Sequence, residues 1–312
     1  MSDASHPDDK IHTPTSDDPF WSETWWFDIS VPERNLSAQF SVFARTNQGV
    51  CMSSAYVWDG SGDELSNCLY QKILWHLPLP EGDLVDLSLP NGMRMRCSEP
   101  TRGYRIQYQD PDDGYARVDL SFTGIHEPNY LGDAHLDQLG SVRGEIQLGD
   151  QTIPVAGFGM RDRSWHVRPQ MGGGFHGGGA GHSCYSYGAA SESSGFHIVG
   201  FDSGEGDCDV IGGYLLRDGV VSKLASGQRR VVERAGHAPT RLLIEASDEK
   251  GRHLHAEGRC ANRLHFMMYP NLLAWNCLTE WQLDDGQTAW GEDRDNWTSA
   301  GMRRFRRETP GS

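Results

Sequence analysis

The sequence predicts an all-β protein made of two packed β units, and three observations lead to this fold class. Short segments alternate between apolar and polar residues, glycine accounts for 37 of the 312 residues, and the chain carries 10 Trp, 10 Tyr and 11 Phe. This composition favours strands and turns over helices. Because the chain is longer than one ordinary domain, two sandwich or barrel units are expected.

The chain is expected to begin with a disordered tail. Residues 1–18 contain five Asp and one Lys and few apolar side chains, which is typical of segments that cannot bury a core. The aromatic run Phe20–Phe27 marks the start of order, since so many rings would not stay in water. We expect an N-terminal β unit over residues 19–154, a C-terminal β unit over 155–302 and a basic tail over 303–312.

Alternation with a period of two predicts half-buried strands in both units. It is clearest in Leu36–Arg45, Val118–Phe122 and Val142–Leu148. Two-residue hairpin turns are predicted at Gly149-Asp150 and Asp218-Gly219, the second being the strongest such signal in the chain. Further turns are expected at 247–251 and 284–286, and no long helix is indicated.

Charge and cysteine usage exclude several classes of protein. The formal net charge is −15 and the pI is near 5.2, which argues against a nucleic-acid binder. No apolar run approaches a membrane span of about 18 residues, and the first ten residues have no signal-peptide pattern. Seven cysteines without a CxxC pair predict reduced thiols, a cytoplasmic location and no zinc ribbon. The expected partner is a small molecule, and a homodimer is left open.

Missing motifs narrow the chemistry further. There is no G-x-S-x-G nucleophile elbow and no strand–GxGxxG–helix unit, so an α/β-hydrolase and a dinucleotide oxidoreductase are disfavoured. Only four of the 28 basic residues are lysines, which disfavours Schiff-base chemistry. If the protein is an enzyme, acid–base and electrostatic catalysis without a cofactor is what remains.

The densest group of chemically active residues lies in Gly157–Arg168. On a strand, one face would carry Arg161, Arg163 and Trp165, and the opposite face would carry Asp162, Ser164 and His166. One set could line a cavity while the other supports it. The alternative is an exposed edge held by salt bridges, which the central tryptophan and the preceding glycines disfavour.

This segment resembles the G-x-G-x-R-D-[HR]-S-W motif of the hydroxyneurosporene synthase (carotenoid hydratase) and AttH-like superfamily. The likeness extends to Phe20–Phe27, to 56–59, to 135–144 and to the closing Gly286 and Trp290-Gly291-Glu292. The resemblance implies two lipocalin-like β-barrels. It is weak for function, because the superfamily includes hydratases, cyclases and Diels–Alder-type catalysts.

The chain departs from the carotenoid hydratases at one position of the motif. Those enzymes carry a histidine where this sequence has Arg163, and arginine cannot donate a proton to an alkene. A fixed guanidinium instead suits a carboxylate, a phenolate or a developing oxyanion. This favours an oxygenated aromatic substrate, such as a phenol, over a pure hydrocarbon.

From the motif and its surroundings we predict two sets of site residues. The catalytic set would stabilise an anionic oxygen, orient neighbours and move protons; it comprises Arg163, Asp162, His166, Tyr187 and Glu280. The substrate-binding set would supply walls and polar contacts; it comprises Trp165, Arg161, Trp26, Tyr185, Trp58 and Asp59. The alternatives are aromatic core for the tyrosines, a solvated carboxylate for Glu280 and a turn residue for Asp59.

Two other segments have competing interpretations. His253, His255 and Glu257 alternate on a strand, as ligands of Zn or Fe do in some β-barrel enzymes. Only His265 lies near enough to complete the set, so no metal or other cofactor is predicted. The glycine-rich stretch 172–181 is a loop or a lid that closes Phe175 and His176 over a site.

The function predicted from the sequence is a cofactor-independent lyase, hydratase, isomerase or cyclase. Its substrate would be a hydrophobic phenolic or terpenoid molecule enclosed where two barrels meet. The first alternative is a non-catalytic carrier of a hydrophobic ligand, and the second is a metal-dependent barrel enzyme. Buried charges beside a carboxylate or histidine would favour the enzyme over the carrier.

Overall fold

The structure, a computed structural model, describes residues 5–80, 85–168, 181–204 and 207–308. It confirms the predicted all-β, lipocalin-like fold in two units. Unit 1 comprises Met1–Val31, Ser37–Val57 and Leu69–Val167, and unit 2 comprises Pro32–Leu36, Trp58–Cys68 and Arg168–Ser312. No helix of the described residues has the length and apolar run needed to cross a membrane.

In the described part of the chain, eleven antiparallel strands form the first sheet, in the order β4-β3-β2-β1-β11-β10-β8-β7-β6-β5 with β9 beside β10. Their bounds are β1 (Trp21–Val31), β2 (Leu36–Arg45), β3 (Val50–Trp58), β4 (Tyr70–Pro78), β5 (Asp86–Ser88), β6 (Met93–Glu99), β7 (Gly103–Gln109), β8 (Ala116–Gly124), β9 (Asn129–Tyr130), β10 (His135–Leu148) and β11 (Gln151–Val167).

This sheet curls into a half-barrel with a defined inner face. The ring of Phe27 on β1 lies 5.7 Å from that of Tyr104 on β7, although three strands separate them in the sheet. The hydroxyl oxygens of Tyr70 on β4 and Tyr108 on β7 are 2.6 Å apart. Residues that share the face of Phe27 therefore line the inside of unit 1.

Nine strands form the second sheet, and a pairing between β17 and β19 closes eight of them into a barrel. Their bounds are β12 (His182–Ser191), β13 (Ser194–Gly204), β14 (Asp207–Arg217), β15 (Val220–Ala235), β16 (Ala238–Asp248), β17 (His253–Cys260), β18 (Leu264–Tyr269), β19 (Leu272–Leu283) and β20 (Thr288–Thr298). The interior is filled by apolar side chains that include Phe196 and Trp281, packed edge to face. At the predicted Asp218-Gly219 turn both residues have positive φ, 54° and 74°, as a two-residue hairpin requires.

The predicted junction at residue 154 differs from the structure. Gly149-Asp150 is a hairpin turn between β10 and β11, and β11 continues without a break to Val167. The two units divide after Val167. The sequence pattern marked the correct turn, but a turn between paired strands does not end a domain.

Both predicted tails also differ from the structure where it describes them. Pro7–Asp9 is a short 3-10 helix, and Asp9 is 2% exposed. At the other end, residues 303–308 belong to helix α1 (Ser299–Glu308), in which Met302 is buried and Phe305 stacks on Trp297 at 4.6 Å. At the N-terminus, composition indicated a solvated tail because Arg161, the ion-pair partner of Asp9, lies far away in sequence.

Candidate active site

Strand β11 lies between β1 and β10, and its alternation separates the conspicuous motif onto two faces. Arg161 and Arg163 contact residues of the inner face of unit 1, whereas Asp162 groups with His135 and Asp137 on the opposite face. The predicted division of the motif therefore agrees with these contacts. The inner face carries arginines and the opposite face carries a histidine with two carboxylates.

On the inner face, Arg163 is fully buried and forms an ion pair with Glu23 at 2.9 Å. The guanidinium also donates to the backbone carbonyls of Asp8 and Lys10. Burial lowers the pKa of Arg163 to about 10, although the Glu23 carboxylate opposes this shift. In this structure the two terminal nitrogens of Arg163 are held by groups of the chain itself, and its predicted contact with a substrate oxyanion stays a prediction.

The other two inner-face residues of the motif also contact side chains of this protein. Arg161 donates to Asp9 at 3.2 Å and to Gln138 at 3.4 Å, and the Trp165 ring stacks on the ring of His12 at 4.0 Å. Both side chains are buried against this N-terminal segment, and their predicted role in substrate binding stays a prediction. Sequence analysis missed this because it assigned residues 1–18 to a disordered tail.

The opposite face brings together three groups that can exchange protons. Nε2 of His135 lies 2.9 Å from Oδ2 of Asp137, and Asp137 pairs directly across the strands with Asp162. One ligand atom of each residue lies within 4.8 Å of the others. His135 is 3% exposed and Asp137 is fully buried, so the cluster lies in a low-dielectric setting where electrostatic interactions are strong.

Hydroxyl groups and an indole surround this cluster, which we call the His135 cluster. Ser164 and Thr24 share a hydrogen bond of 2.7 Å, and Trp26 pairs across the strands with Asp162. Of the predicted residues, Asp162 and Trp26 therefore lie together. His166 is further along the same face of β11, with Nδ1 2.8 Å from the carbonyl oxygen of Val167.

His135 and Asp137 were missed by the sequence analysis, although the sequence contained a signal for them. The hairpin turn at Gly149-Asp150 fixes the register of β10 against β11, and counting back from the turn places Asp137 opposite Asp162. The alternation of His135 and Asp137 then puts both on the face of Asp162. The resemblance also covered residues 135–144, but the predicted site residues were taken from the motif strand and not from this neighbour.

The His135 cluster suits either of two chemistries. Two carboxylates beside an imidazole favour a proton held between them, which provides an acid and a base in one place. One imidazole and two carboxylate oxygens are also a ligand set that Zn²⁺, Fe²⁺ or Mn²⁺ accepts. Among the described residues, these three form the compact group that could hold a metal ion.

The alternative metal set, His253, His255 and Glu257, lies on the surface of unit 2. His255 is flanked by Glu245 at 3.8 Å and by Glu257 at 3.6 Å, and its side chain is 44% exposed. His253 and His255 line an open groove of about 370 Å³. His265 stacks on Trp275, and in the part of the chain that the structure describes the compact three-ligand group is the His135 cluster instead.

Tyr185 and Tyr187 are buried on one face of β12 in unit 2. The Tyr185 ring lies 4.5 Å from the ring of His197, and the Arg294 guanidinium lies 5.4 Å from its centre. Arg294 in turn donates to Glu292. Tyr185 therefore belongs to a polar aromatic cluster of unit 2, while the carbonyl oxygen of Tyr187 accepts a hydrogen bond from Nε1 of Trp281 at 3.0 Å.

Three other predicted site residues have clear contacts in the structure. Glu280 forms an ion pair with the exposed Arg259 on the neighbouring strand. Asp59 accepts the backbone N–H of Ser61 at 2.9 Å in a turn, and Trp58 donates from Nε1 to Asn262 at 3.1 Å. For Glu280 and Asp59 these contacts match the alternatives that the sequence left open. The predicted lid residues Phe175 and His176 lie outside the described residues.

A charged network inside the unit 2 barrel was not predicted. Arg229 is fully buried and pairs with Asp293 and, at 2.8 Å, with Asp295. His182 lies 2.7 Å from Asp295, and Arg234 contacts the same carboxylate at 2.7 Å. Burial alone would raise the pKa of Asp295, but the charges of Arg234, His182 and Arg229 hold it well below its ordinary value.

Comparisons with known proteins agree with the fold. A family model with the description "Domain of unknown function (DUF7064)" matches residues 5–297. A search of curated protein sequences found no match. Among solved structures, a protein described as AttH from Nitrosomonas europaea has a TM-score of 0.64 at 15% identity and covers 96% of this chain and 98% of its own.

Two further solved structures have the same architecture. CghA matches with a TM-score of 0.57 at 11% identity, over 90% of this chain and 88% of its own. Kievitone hydratase from Nectria haematococca matches with a TM-score of 0.55 at 8% identity, over 89% of both chains. At these identities the likeness establishes an AttH-like fold and no more.

Proposed function

The chain belongs to the family described as Domain of unknown function (DUF7064), and we propose that it is an enzyme of the lyase, hydratase or isomerase type. Its substrate would be a hydrophobic phenolic or terpenoid molecule. The observation that carries the proposal is the His135 cluster, in which a buried imidazole–carboxylate pair lies against a second carboxylate. Among proteins with this fold, kievitone hydratase is named for such a reaction.

In the proposed reaction the cluster moves protons at a carbon–carbon double bond. His135, oriented by the contact of its Nε2 with Asp137, would be one proton-transfer group. Such orientation of an imidazole by a carboxylate is a common catalytic arrangement. Asp162 would supply the second proton-transfer group. In hydration, one group protonates the alkene carbon while the other removes a proton from the attacking water; elimination of water reverses both transfers.

Burial of charge supports an enzyme over the predicted carrier. A carrier of an apolar ligand gains nothing from buried carboxylates, because each costs free energy to remove from water. Here Asp137 is fully buried and lies beside a buried histidine. Perturbing environments of this kind are concentrated at functional sites.

The proposal is tested by supplying the purified full chain with a panel of prenylated phenols and terpenoid alkenes in oxygen-18-labelled water. Mass spectrometry would detect addition of labelled water or isomerisation. Asp162→Asn should lower the rate by about 100-fold or more, the usual contribution of a proton-transfer group. The matched control is Asp150→Asn, which alters an exposed turn residue. Binding of panel members without conversion by the wild-type chain would instead support the carrier.

A metal-dependent enzyme acting at the same residues is the second candidate. It is favoured by the ligand set of one imidazole and two carboxylates within 4.8 Å of one another. A divalent ion there would polarise a substrate oxygen or activate water. Metal analysis of the purified chain separates this candidate from acid–base catalysis.

A further inference from the structure

The segment Pro7–His12 contacts the inner face of unit 1 as a bound peptide would, and not as a strand of the sheet. Its backbone hydrogen bonds are local, from Asp9 to His6 and from Lys10 to Pro7, each 3.0 Å. It is attached to the sheet through side chains of the segment and side chains of the strands. Those contacts come from elements that are distant in sequence.

The carboxylate of Asp9 is received by donors from three elements. Arg161 on β11 donates at 3.2 Å, the backbone N–H of Thr101 donates at 2.7 Å, and the Tyr104 hydroxyl on β7 donates as well. Asp9 and Arg161 are 2% and 3% exposed. Convergent donors around one buried carboxylate are the features of a built recognition site.

The backbone of the segment is recognised at the same time. Arg163 donates to the carbonyl oxygens of Asp8 and Lys10, and Oε1 of Glu23 accepts the N–H of His12 at 2.7 Å. The buried Arg163–Glu23 pair thus binds both kinds of peptide group. Contacts to carbonyl and N–H groups distinguish a peptide from a small carboxylic acid.

An aromatic contact lies beside the carboxylate site. The His12 ring stacks on Trp165 with an angle of 11° between the planes, and the Tyr130 hydroxyl donates to Asp8. The site therefore selects an aspartate and, three residues later, a planar ring.

We propose that the inner face of unit 1 is a binding site for acidic peptide segments of the form Asp-x-x-His, and that Pro7–His12 is its intramolecular occupant. The site is built from Arg161, Arg163, Glu23, Tyr104 and Trp165. A second copy of this chain binds there through its own Pro7–His12, which replaces the resident segment. This site uses the face of β11 opposite to Asp162, so it is independent of the proposed reaction.

The test measures binding of a fluorescein-labelled peptide with the sequence of residues 5–14 to the full chain by fluorescence anisotropy. The wild-type chain should bind the probe weakly, since a tethered competitor acts at an effective concentration near millimolar. Asp9→Ala in the chain weakens the resident segment and should tighten probe binding by about tenfold or more. Asp17→Ala, which removes an exposed aspartate five residues beyond the segment, should behave as wild type.

Two further arms check specificity. A probe with alanine in place of its second aspartate should not bind, and the chain carrying both Asp9→Ala and Arg161→Gln should not bind the normal probe. Excess N-acetylaspartate should displace the probe poorly. Displacement by N-acetylaspartate as effectively as by unlabelled peptide would show that only a carboxylate is recognised and would overturn the peptide assignment.

Hydrogen exchange on the same variants shows whether the segment is separable from the fold. In Asp9→Ala and the milder Asp9→Asn, the amides of residues 9–12 should lose protection while those of β11 keep it. A folded Asp9→Ala chain that does not bind the probe overturns the proposal. Loss of protection throughout unit 1 in both variants overturns it too, because the segment would then be a fixed part of the core.

Discussion

Asp137 and Asp162 are direct cross-strand partners on β10 and β11, and their carboxylates share a cluster with His135. Two like charges opposite each other on a sheet are unfavourable unless a proton or a cation lies with them. The imidazole of His135, 2.9 Å from Asp137, is the adjacent proton carrier. This relationship underlies the first two predictions.

Replacing His135 by glutamine should remove a titrating group while keeping a polar side chain of similar size. We expect kcat/KM on a substrate found in the panel to fall by about 100- to 10,000-fold. The part of the pH dependence of kcat/KM that is due to titration of the imidazole should disappear. An unchanged profile in a folded His135→Gln chain would remove His135 from the reaction.

Metal analysis should find well under one Zn, Fe or Mn per chain in the purified protein, and a chelator should leave turnover unchanged. The reason is that an imidazole and two carboxylates can share protons without an ion. Elemental analysis by plasma mass spectrometry provides the measurement. Near one metal ion per wild-type chain, lost in Asp162→Asn, would instead establish the metal-dependent candidate.

Arg163→Met should destabilise the protein by about 3–5 kcal/mol, because it leaves Glu23 buried without its partner. The double variant with Glu23→Gln should recover part of that loss, since both charges are then gone. Urea denaturation of the two single variants and the double variant measures the coupling. Additive losses would mean that the 2.9 Å contact between Arg163 and Glu23 contributes no net stability.

The Asp295 carboxylate should make stability depend on acid pH. Its pKa is held well below the ordinary value despite burial, so its contribution is present above the unfolded pKa of about 4 and is lost as the pH falls through the folded pKa. Asp295→Asn should therefore cost about 3–5 kcal/mol near neutral pH, and less as the solution is acidified.

Thermal unfolding of the wild type and Asp295→Asn over a series of acid pH values checks this sign. If the variant fails to fold, Asp248→Asn offers a milder case in the same unit. Burial would raise the pKa of Asp248, but backbone N–H groups and Arg252 lower it. If the difference in stability between the wild type and the variant became larger on acidification, the lowered pKa of the carboxylate would be contradicted.

Glu280→Gln should leave activity unchanged and alter stability by less than about 0.5 kcal/mol. The carboxylate pairs with Arg259, whose side chain is 65% exposed, and solvent screens such a pair. Turnover and urea midpoint are the measurements. A large loss of turnover in a folded variant would restore Glu280 to the catalytic set.

Local patterns in the sequence determined the strands and their turns. The alternation in Val142–Leu148 reflects the two-residue period of a strand. The turn at Asp218-Gly219 reflects the backbone conformations that these two residues adopt. Both effects act between near neighbours in the chain. For the same reason the division of β11 into the faces of Arg163 and Asp162 could be predicted. Even the pairing of Asp137 with Asp162 follows from one hairpin turn.

Only the tertiary structure decided which partner each of these side chains has. Arg163 reaches Glu23 and the backbone of Asp8, more than a hundred residues earlier in the chain, and no local pattern connects them. The acidic segment around Asp9 looks solvated until Arg161 is brought beside it. A buried charge is tolerated only with its partner, and the folding of the sheet supplies that partner.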